Sequence, residues 1–206
     1  MVIVPFAPSH VREVARMHTE SLTGLLSALG QPAARAYYQG AARAPETRAF
    51  VAYDGEHVVG FVMGSARPEE LRRRIARENR AAVLAGLFRG LALRPHLLKW
   101  LLRSRKGPDE GSYDSRAPEL IYLAVASRMR GSGTGRALVD AFTAAMKRED
   151  TASYELSVDD SNVSAIGFYE KLGFHVTGRY REFGIWHRRY RFDSSGAHQP
   201  SEPQRG

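Results

Sequence analysis

The sequence contains no cysteine. Disulfides, thiolate metal sites and cysteine nucleophiles are thereby excluded. No run of about 18 apolar residues, the length that crosses a bilayer, occurs. The first residues, MVIVPFAPSH, lack the basic segment and the continuous apolar stretch of a secretory signal. A cytoplasmic location is the expectation. The histidines show no H-x-x-x-H spacing and no companion carboxylate cluster, so no metal site is predicted. What remains is a chain of 206 residues, 43% of them hydrophobic. That is enough for one folded domain with a sizeable core.

The formal charge is +8, but it is unevenly placed. The segment from Arg67 to Lys106 is dense in arginine, and the rest of the chain is close to neutral. A nucleic-acid footprint spread over the whole body is therefore not indicated, and no nucleic-acid partner is expected.

Periodicity and turn chemistry give an alternating order of strands and helices, an α/β (α+β) class. Val2 to Pro5 reads as a strand, followed by one helix from about His10 to Leu29 that Ser9 can cap. Gly30 ends it, and Pro32 suits the first turn of a helix through Tyr37 and Tyr38. Strands at 48–53 and 57–63 flank Asp54-Gly55, a strong hairpin signal. Residues 66–118 form an insertion: a helical pattern from Pro68 to about Leu93, a break at Pro95, a shorter helix through Trp100 and a polar loop. Then come the apolar strand ELIYLAV from Glu119 to Val125, a glycine-rich turn and a helix from Arg136 to about Arg148. A strand at 154–158, a helix from Asn162 to Leu172 ended by Gly173, and a strand pair at 175–180 and 186–192 complete a domain over 1–193. Residues 194–206 are polar and proline-bearing, as in a disordered tail.

The most informative stretch runs Arg130-Gly131-Ser132-Gly133-Thr134-Gly135-Arg136 between a strand and a helix. The first turn of a helix leaves backbone N–H groups unpaired and carries about half a positive charge, so it suits a pyrophosphate. Glycine lets the phosphate approach the backbone, and Arg130 and Arg136 add charged donors. A P-loop requires Gly-Lys-Ser/Thr, whereas Gly135 is followed by Arg136-Ala137. A dinucleotide fingerprint requires G-x-G-x-x-G, whereas the spacing here is G-x-G-x-G. A glycine-rich connection without a ligand stays open on the turn alone.

The later segment from Asp159 through Asn162, Phe168, Tyr169 and Gly173 to Phe174 adds a second motif. With it the chain resembles the GNAT superfamily of acetyl-CoA-dependent N-acetyltransferases over about residues 2–192, the insertion aside. Arg130, Gly133 and Gly135 match that family's Q/R-x-x-G-x-G/A motif. Asn162, Phe168, Tyr169, Gly173 and Phe174 match its asparagine followed by F-Y-x-x-x-G-F. The resemblance implies a mixed, mostly antiparallel, twisted sheet flanked by helices, with the insertion between the third and fourth strands. It implies acetyl-CoA as acyl donor and a primary amine as acceptor. The pyrophosphate falls to residues 130–136 and the pantetheine arm to the backbone of Leu123, Ala124 and Val125. By the same resemblance Asn162 and Tyr169 are expected to contact the cofactor, the tyrosine at its sulfur.

Amine acylation has two proton problems. The acceptor ammonium must lose a proton before attack, and the leaving thiolate gains one. Tyr169, about two helical turns beyond Asn162, is the candidate acid. Its alternative is a core tyrosine whose hydroxyl bonds to backbone. Glu119 is the candidate base, by likeness to the histone-acetyltransferase branch, and its alternative is a solvated carboxylate at a strand end. Alternation predicts that Glu119, Ile121, Leu123 and Val125 share one side of their strand.

In this fold the first two helices and the last hairpin shape the acceptor pocket. Tyr37, Tyr38 and Tyr122 are its candidate wall, with His18 and His187 as weaker ones. A small-molecule amine such as an amino sugar is the expected acceptor, and a protein N-terminus or lysine is the alternative. A CoA-binding sensor without turnover, or a membrane-associated module, are readings of a different class. The basic insertion is compatible with a helical cover on the sheet, a homodimer contact, or a weak meeting with an anionic lipid surface or acidic partner.

Overall fold

The computed structural model describes residues 1–78, 80, 81, 84, 85, 111, 113–182 and 184–193. Its strands are β1 (Val2–Pro5), β2 (Arg48–Asp54), β3 (His57–Ser65), β4 (Glu119–Val125), β5 (Ser153–Asp159), β6 (His175–Glu182) and β7 (Ile185–Asp193). Its helices are α1 (Val11–Ser21), α2 (Leu25–Leu29), α3 (Gln31–Ala41), α4 (Pro68–Glu78), α5 (Thr134–Lys147) and α6 (Val163–Lys171). The strands form one sheet in the order β1-β2-β3-β4-β5-β7-β6. Every neighbouring pair is antiparallel except β4 and β5. The predicted mixed sheet with an insertion after its third strand is thus the architecture found. Of the helical pattern predicted from Pro68 to about Leu93, α4 carries the first part. Most of the remainder, the helix through Trp100 and the tail at 194–206 lie outside the described residues.

Two apolar clusters cover the two faces of the sheet. Val14, Met17, Tyr38, Phe61 and Leu71 pack on the face that carries α1, α3 and α4. Leu138, Phe142, Tyr154, Ile166 and Tyr169 pack on the face that carries α5 and α6. The hairpin predicted at Asp54-Gly55 forms, with Asp54 opposite His57 and Gly55 at φ +59°.

Three local expectations are corrected. The first helix is two helices, broken where Leu22 is extended and Gly24 takes φ +112°. Only glycine adopts that conformation without strain, so Gly24 interrupts a run whose apolar spacing would otherwise continue. Ser9 does not cap α1. Pro8 opens a 3₁₀ turn that absorbs Ser9, and His10 becomes the residue before the helix, its Nδ1 accepting from Ala7 N–H at 3.0 Å.

The third correction concerns β4. Its register against β3 shifts between Met63 and Gly64, so that Tyr122 faces Met63 and Leu120 faces Gly64, with Ile121 as the extra residue. A bulge of this kind resets the alternation. Leu120, Leu123 and Val125 consequently pack with the α5 cluster, whereas Tyr122 and Ala124 belong to the α1–α3 cluster. Glu119 lies near Tyr37 and Tyr122, on the opposite side from Leu123. Gly64 permits the close approach at this point: a Cβ there would lie 2.2 Å from Glu119 O and 2.6 Å from Phe142 Cζ.

Candidate active site

β4 and β5 share a single registered pair, Glu119 with Glu155, reinforced by Glu155 N–H donating to Pro118 O at 2.8 Å. Beyond that rung the strands diverge. The resulting fork opens onto a cavity of about 460 Å³. Leu123, Ala124 and Val125 of β4 line it on one side, and Asn162 and Tyr169 on the other. Arg130, Gly131, Gly133, Gly135 and Arg136 line its end. The structure thus gathers ten of the cofactor-side residues that the sequence singles out. Ser21 and Leu22 also reach its wall, placed there by the break between α1 and α2.

The glycine turn is a cradle by construction. Gly131 and Gly133 take φ +80° and +86°, and a Cβ built on either finds nothing within 4 Å. Helix α5 begins at Thr134, not Arg136, with Gly133 as its N-cap and no side-chain cap. Its first intrahelical bond runs from Ala137 N–H to Gly133 O at 3.0 Å. The N–H groups of Thr134, Gly135 and Arg136 precede that bond and are the orphan donors of the first turn. Ser132 and Thr134 do not line the cavity. Their hydroxyls pair with each other at 2.7 Å, and Thr134 is fully buried. Gly135 has a second reason to be glycine: a Cβ there would approach Phe168 Cζ to 3.1 Å, so the residue seats α6 against α5. Arg130, Arg136 and Lys171 make this end of the cavity cationic. An open, positively charged cradle that added Cβ atoms would fill fits a pyrophosphate.

Asn162 caps α6, its Oδ1 accepting from Ala165 N–H at 3.1 Å, while its amide borders the cavity. Tyr169 is 8% exposed and held edge-on by Phe168 and Phe174, with ring centres 5.1 and 5.3 Å away. No hydrogen bond to its hydroxyl occurs among the described residues. Burial pushes its pKa well above that of an ordinary tyrosine, with Tyr154 adding to the effect, so the hydroxyl keeps its proton. Tyr169 can therefore donate one.

Glu119 stands at the vertex of the fork, not on the cavity wall, and its side chain is 12% exposed. Its carboxylate accepts from Arg189 Nη1 at 2.5 Å and from Arg72 Nη1 at 3.4 Å. Glu155 accepts from Arg189 Nε at 2.8 Å and Arg191 Nη2 at 2.7 Å. Burial works against the charge of Glu155, but these bonds outweigh it and hold its carboxyl below the usual range. Tyr122, pushed up to about 12 by burial and by Glu119, stays neutral beside them.

The aromatic candidates divide. Tyr37 and Tyr122 lie 5.9 Å apart at the edge of the α1–α3 cluster, within electrostatic reach of Glu119. Tyr38 is 1% exposed and belongs to the core, its hydroxyl 2.8 Å from His18 Nδ1. His18 is buried too, with a pKa lowered to about 4 by desolvation, and packs edge-on to Tyr122 at 4.7 Å. His187 stacks on Tyr180 at 5.1 Å. None of these five lines the cavity. Arg72, Glu155 and Arg189 had no part in the sequence reading. The available signal was a glutamate inside the apolar strand at 153–159. A second hollow of about 490 Å³, near Phe6, Arg48 and Glu149, holds none of the predicted site residues. Among the described residues no group of three or more His, Asp or Glu can hold a metal ion, and no helix is long and apolar enough to cross a membrane.

The family model described as Acetyltransferase (GNAT) family matches residues 12–174. The chain belongs to the acetyltransferase (GNAT) family. A relative from mouse, "Probable N-acetyltransferase family 8 member 5", is 32% identical over 90 residues. That match covers 39% of this chain and 40% of the mouse protein, so the likeness spans about two fifths of the curated relative. A solved structure described as an acetyltransferase is similar at a TM-score of 0.62 and 19% identity, over 94% of this chain and 99% of that one. Arabidopsis thaliana NAA60 in complex with acetyl-CoA is similar at 0.57 and 14% identity, over 95% and 99%. These two likenesses show the GNAT fold.

Proposed function

We propose that the protein is an acetyl-CoA-dependent N-acetyltransferase that acts on a primary amine of small size, such as an amino sugar, by direct transfer in a ternary complex. The observation that carries this reading is the fork. An uncapped helix start with two left-handed glycines faces one end of a cavity, and a buried tyrosine whose hydroxyl has no hydrogen bond among the described residues lines the same cavity. Bound there, acetyl-CoA supplies an activated acetyl thioester.

The roles of the residues follow from their placement. The N–H groups of Gly135 and Arg136, with the side chains of Arg130 and Arg136, hold the pyrophosphate. The backbone of Leu123, Ala124 and Val125, unpaired with β5 beyond Glu119, takes the place of a ladder for the pantetheine amides. The Asn162 amide adds a polar contact. Tyr169 gives its proton to the departing sulfur. Glu119 receives the proton of the acceptor ammonium, and Tyr37 and Tyr122 flank it as part of the acceptor wall.

Acceptor size is supported by α4. This helix packs against α3 and β3, and its Arg72 reaches both Glu119 and Ser115 O, the latter at 2.6 Å. The approach to Glu119 is therefore narrowed by a cover that an extended peptide would have to displace. Purified protein, acetyl-CoA and a panel of amino sugars, polyamines and short peptides, read by thiol release, test the proposal. Turnover of an amino sugar or polyamine in preference to the peptides supports it. Turnover of peptides alone refutes the acceptor class, and no calorimetric binding of acetyl-CoA at millimolar concentration refutes the whole reading.

A further inference from the structure

Arg189 projects from β7 and is 3% exposed. Its Nη1 donates to Glu119 at 2.5 Å and to Ser157 Oγ at 2.9 Å, and its Nε donates to Glu155 at 2.8 Å. One guanidinium thus joins three strands: β4 through Glu119, β5 through Glu155 and Ser157, and β7 through its own backbone. They meet at the single rung that β4 and β5 share.

That rung sets two glutamates side by side. Like charges opposite one another on neighbouring strands repel, and burial strengthens the repulsion. A cation between them removes it, and the planar fork of an arginine can bond both at once where a lysine is a point charge. The surrounding groups do not share this task. Arg191 is committed to the other oxygen of Glu155 at 2.7 Å. Arg72 reaches Glu119 from α4 at 3.4 Å and is 40% exposed. Tyr113 covers the face of the Arg189 guanidinium, its ring centre 5.0 Å from Cζ. The remaining nitrogen, Nη2, is buried with no hydrogen-bond partner among the described residues. A buried unpaired N–H is unfavourable. Arg189 is therefore oriented for the two carboxylates and not for its own full satisfaction.

We propose that Arg189 is the positioning residue of the acceptor side: by binding Glu119 and Glu155 together at the vertex of the fork, it aims the Glu119 carboxylate at the incoming amine. Arg189 acts through Glu119 and touches no reacting atom. The proposal rests on the acetyltransfer reading with Glu119 as proton acceptor.

The test is steady-state acetylation by the full chain with glucosamine, spermidine and the peptide Ala-Ala-Ala, together with calorimetry of acetyl-CoA. Replacing Arg189 alone leaves two buried carboxylates and endangers the fold. The informative variant is therefore R189M/E155Q, which removes one charge of each sign. Its kcat is expected to fall about 10- to 100-fold, the loss typical of a misplaced reacting group, with acetyl-CoA affinity within about twofold of the parent. R189K, which keeps the charge but not the fork, is expected to fall between the two. In an E119Q background the same double substitution lowers kcat by less than about threefold, because both changes act on one function. An unchanged kcat in R189M/E155Q, or a loss that multiplies in full on E119Q, overturns the proposal. If the parent binds no acetyl-CoA and acetylates none of the three amines, the acetyltransfer reading fails and this proposal with it. If it acetylates one and E119Q is as active as the parent, acetyltransfer stands and the role of Arg189 falls.

Discussion

Gly133→Ala separates the cradle from the fold. Gly133 sits at φ +86° and ψ −5°, in the left-handed region. An alanine there costs about 1–2 kcal/mol. A Cβ at this position meets nothing within 4 Å, so strain is the whole folding penalty and no neighbour must move. For a chain of this size that penalty lowers Tm by about 2–8 °C. Gly133 lines the cavity, so the same methyl is expected to intrude before the first-turn N–H groups. Losing one charge-assisted hydrogen bond of about 1.5–3 kcal/mol weakens acetyl-CoA binding by about 10- to 150-fold. Gly173→Ala is the matched control: φ +88°, equally open, and not on the cavity wall. It is expected to lose as much Tm and no affinity. Thermal melts and calorimetry with acetyl-CoA read both quantities. Unweakened binding by Gly133→Ala, or equal weakening by Gly173→Ala, refutes the cradle.

Tyr169→Phe is expected to lower kcat by about 10²- to 10⁴-fold, the range of a lost general acid, with little change in acetyl-CoA affinity; an unchanged kcat removes the acid role. Burial lowers the pKa of His18 to about 4 from 6.5 for an ordinary histidine, so its share of stability is present above pH 6.5 and is lost as pH falls toward 4. That share is about 3 kcal/mol, and urea unfolding of the parent and of His18→Phe should show a steeper acid loss in the parent. Gly64→Ala forces a methyl against the Glu119 carbonyl and is expected to destabilise by about 1–3 kcal/mol or more, with a matching fall in the urea midpoint.

Much of the fold is legible because strong local signals agree. Asp54-Gly55 makes its hairpin, Gly173 ends its helix, and the 130–136 turn opens α5. The cofactor side of the site is legible for the same reason, since it is built from consecutive residues whose backbone conformation glycine dictates. The acceptor side is not. Ile121 as an extra residue leaves no mark in ELIYLAV, where the apolar run hides the change of face, so simple alternation puts Leu123 on the side of Glu119. Arg189 lies in a hairpin rich in arginine, and nothing local distinguishes it from Arg188. Only the tertiary meeting of β4, β5 and β7 does so. Gly135 reads as a phosphate glycine, yet the atom that crowds it belongs to Phe168, a partner whose identity depends on how α6 docks.

The lone rung between β4 and β5 divides the sheet into two blades, one ending in β4 and the other beginning with β5. Every other neighbouring pair of strands shares at least four registered residues, so backbone pairing across the sheet is thinnest at this seam. Anything lodged there acts as a staple across the two blades. Occupancy of the seam should therefore raise the melting temperature with the logarithm of ligand concentration and slow amide exchange along both bordering strands.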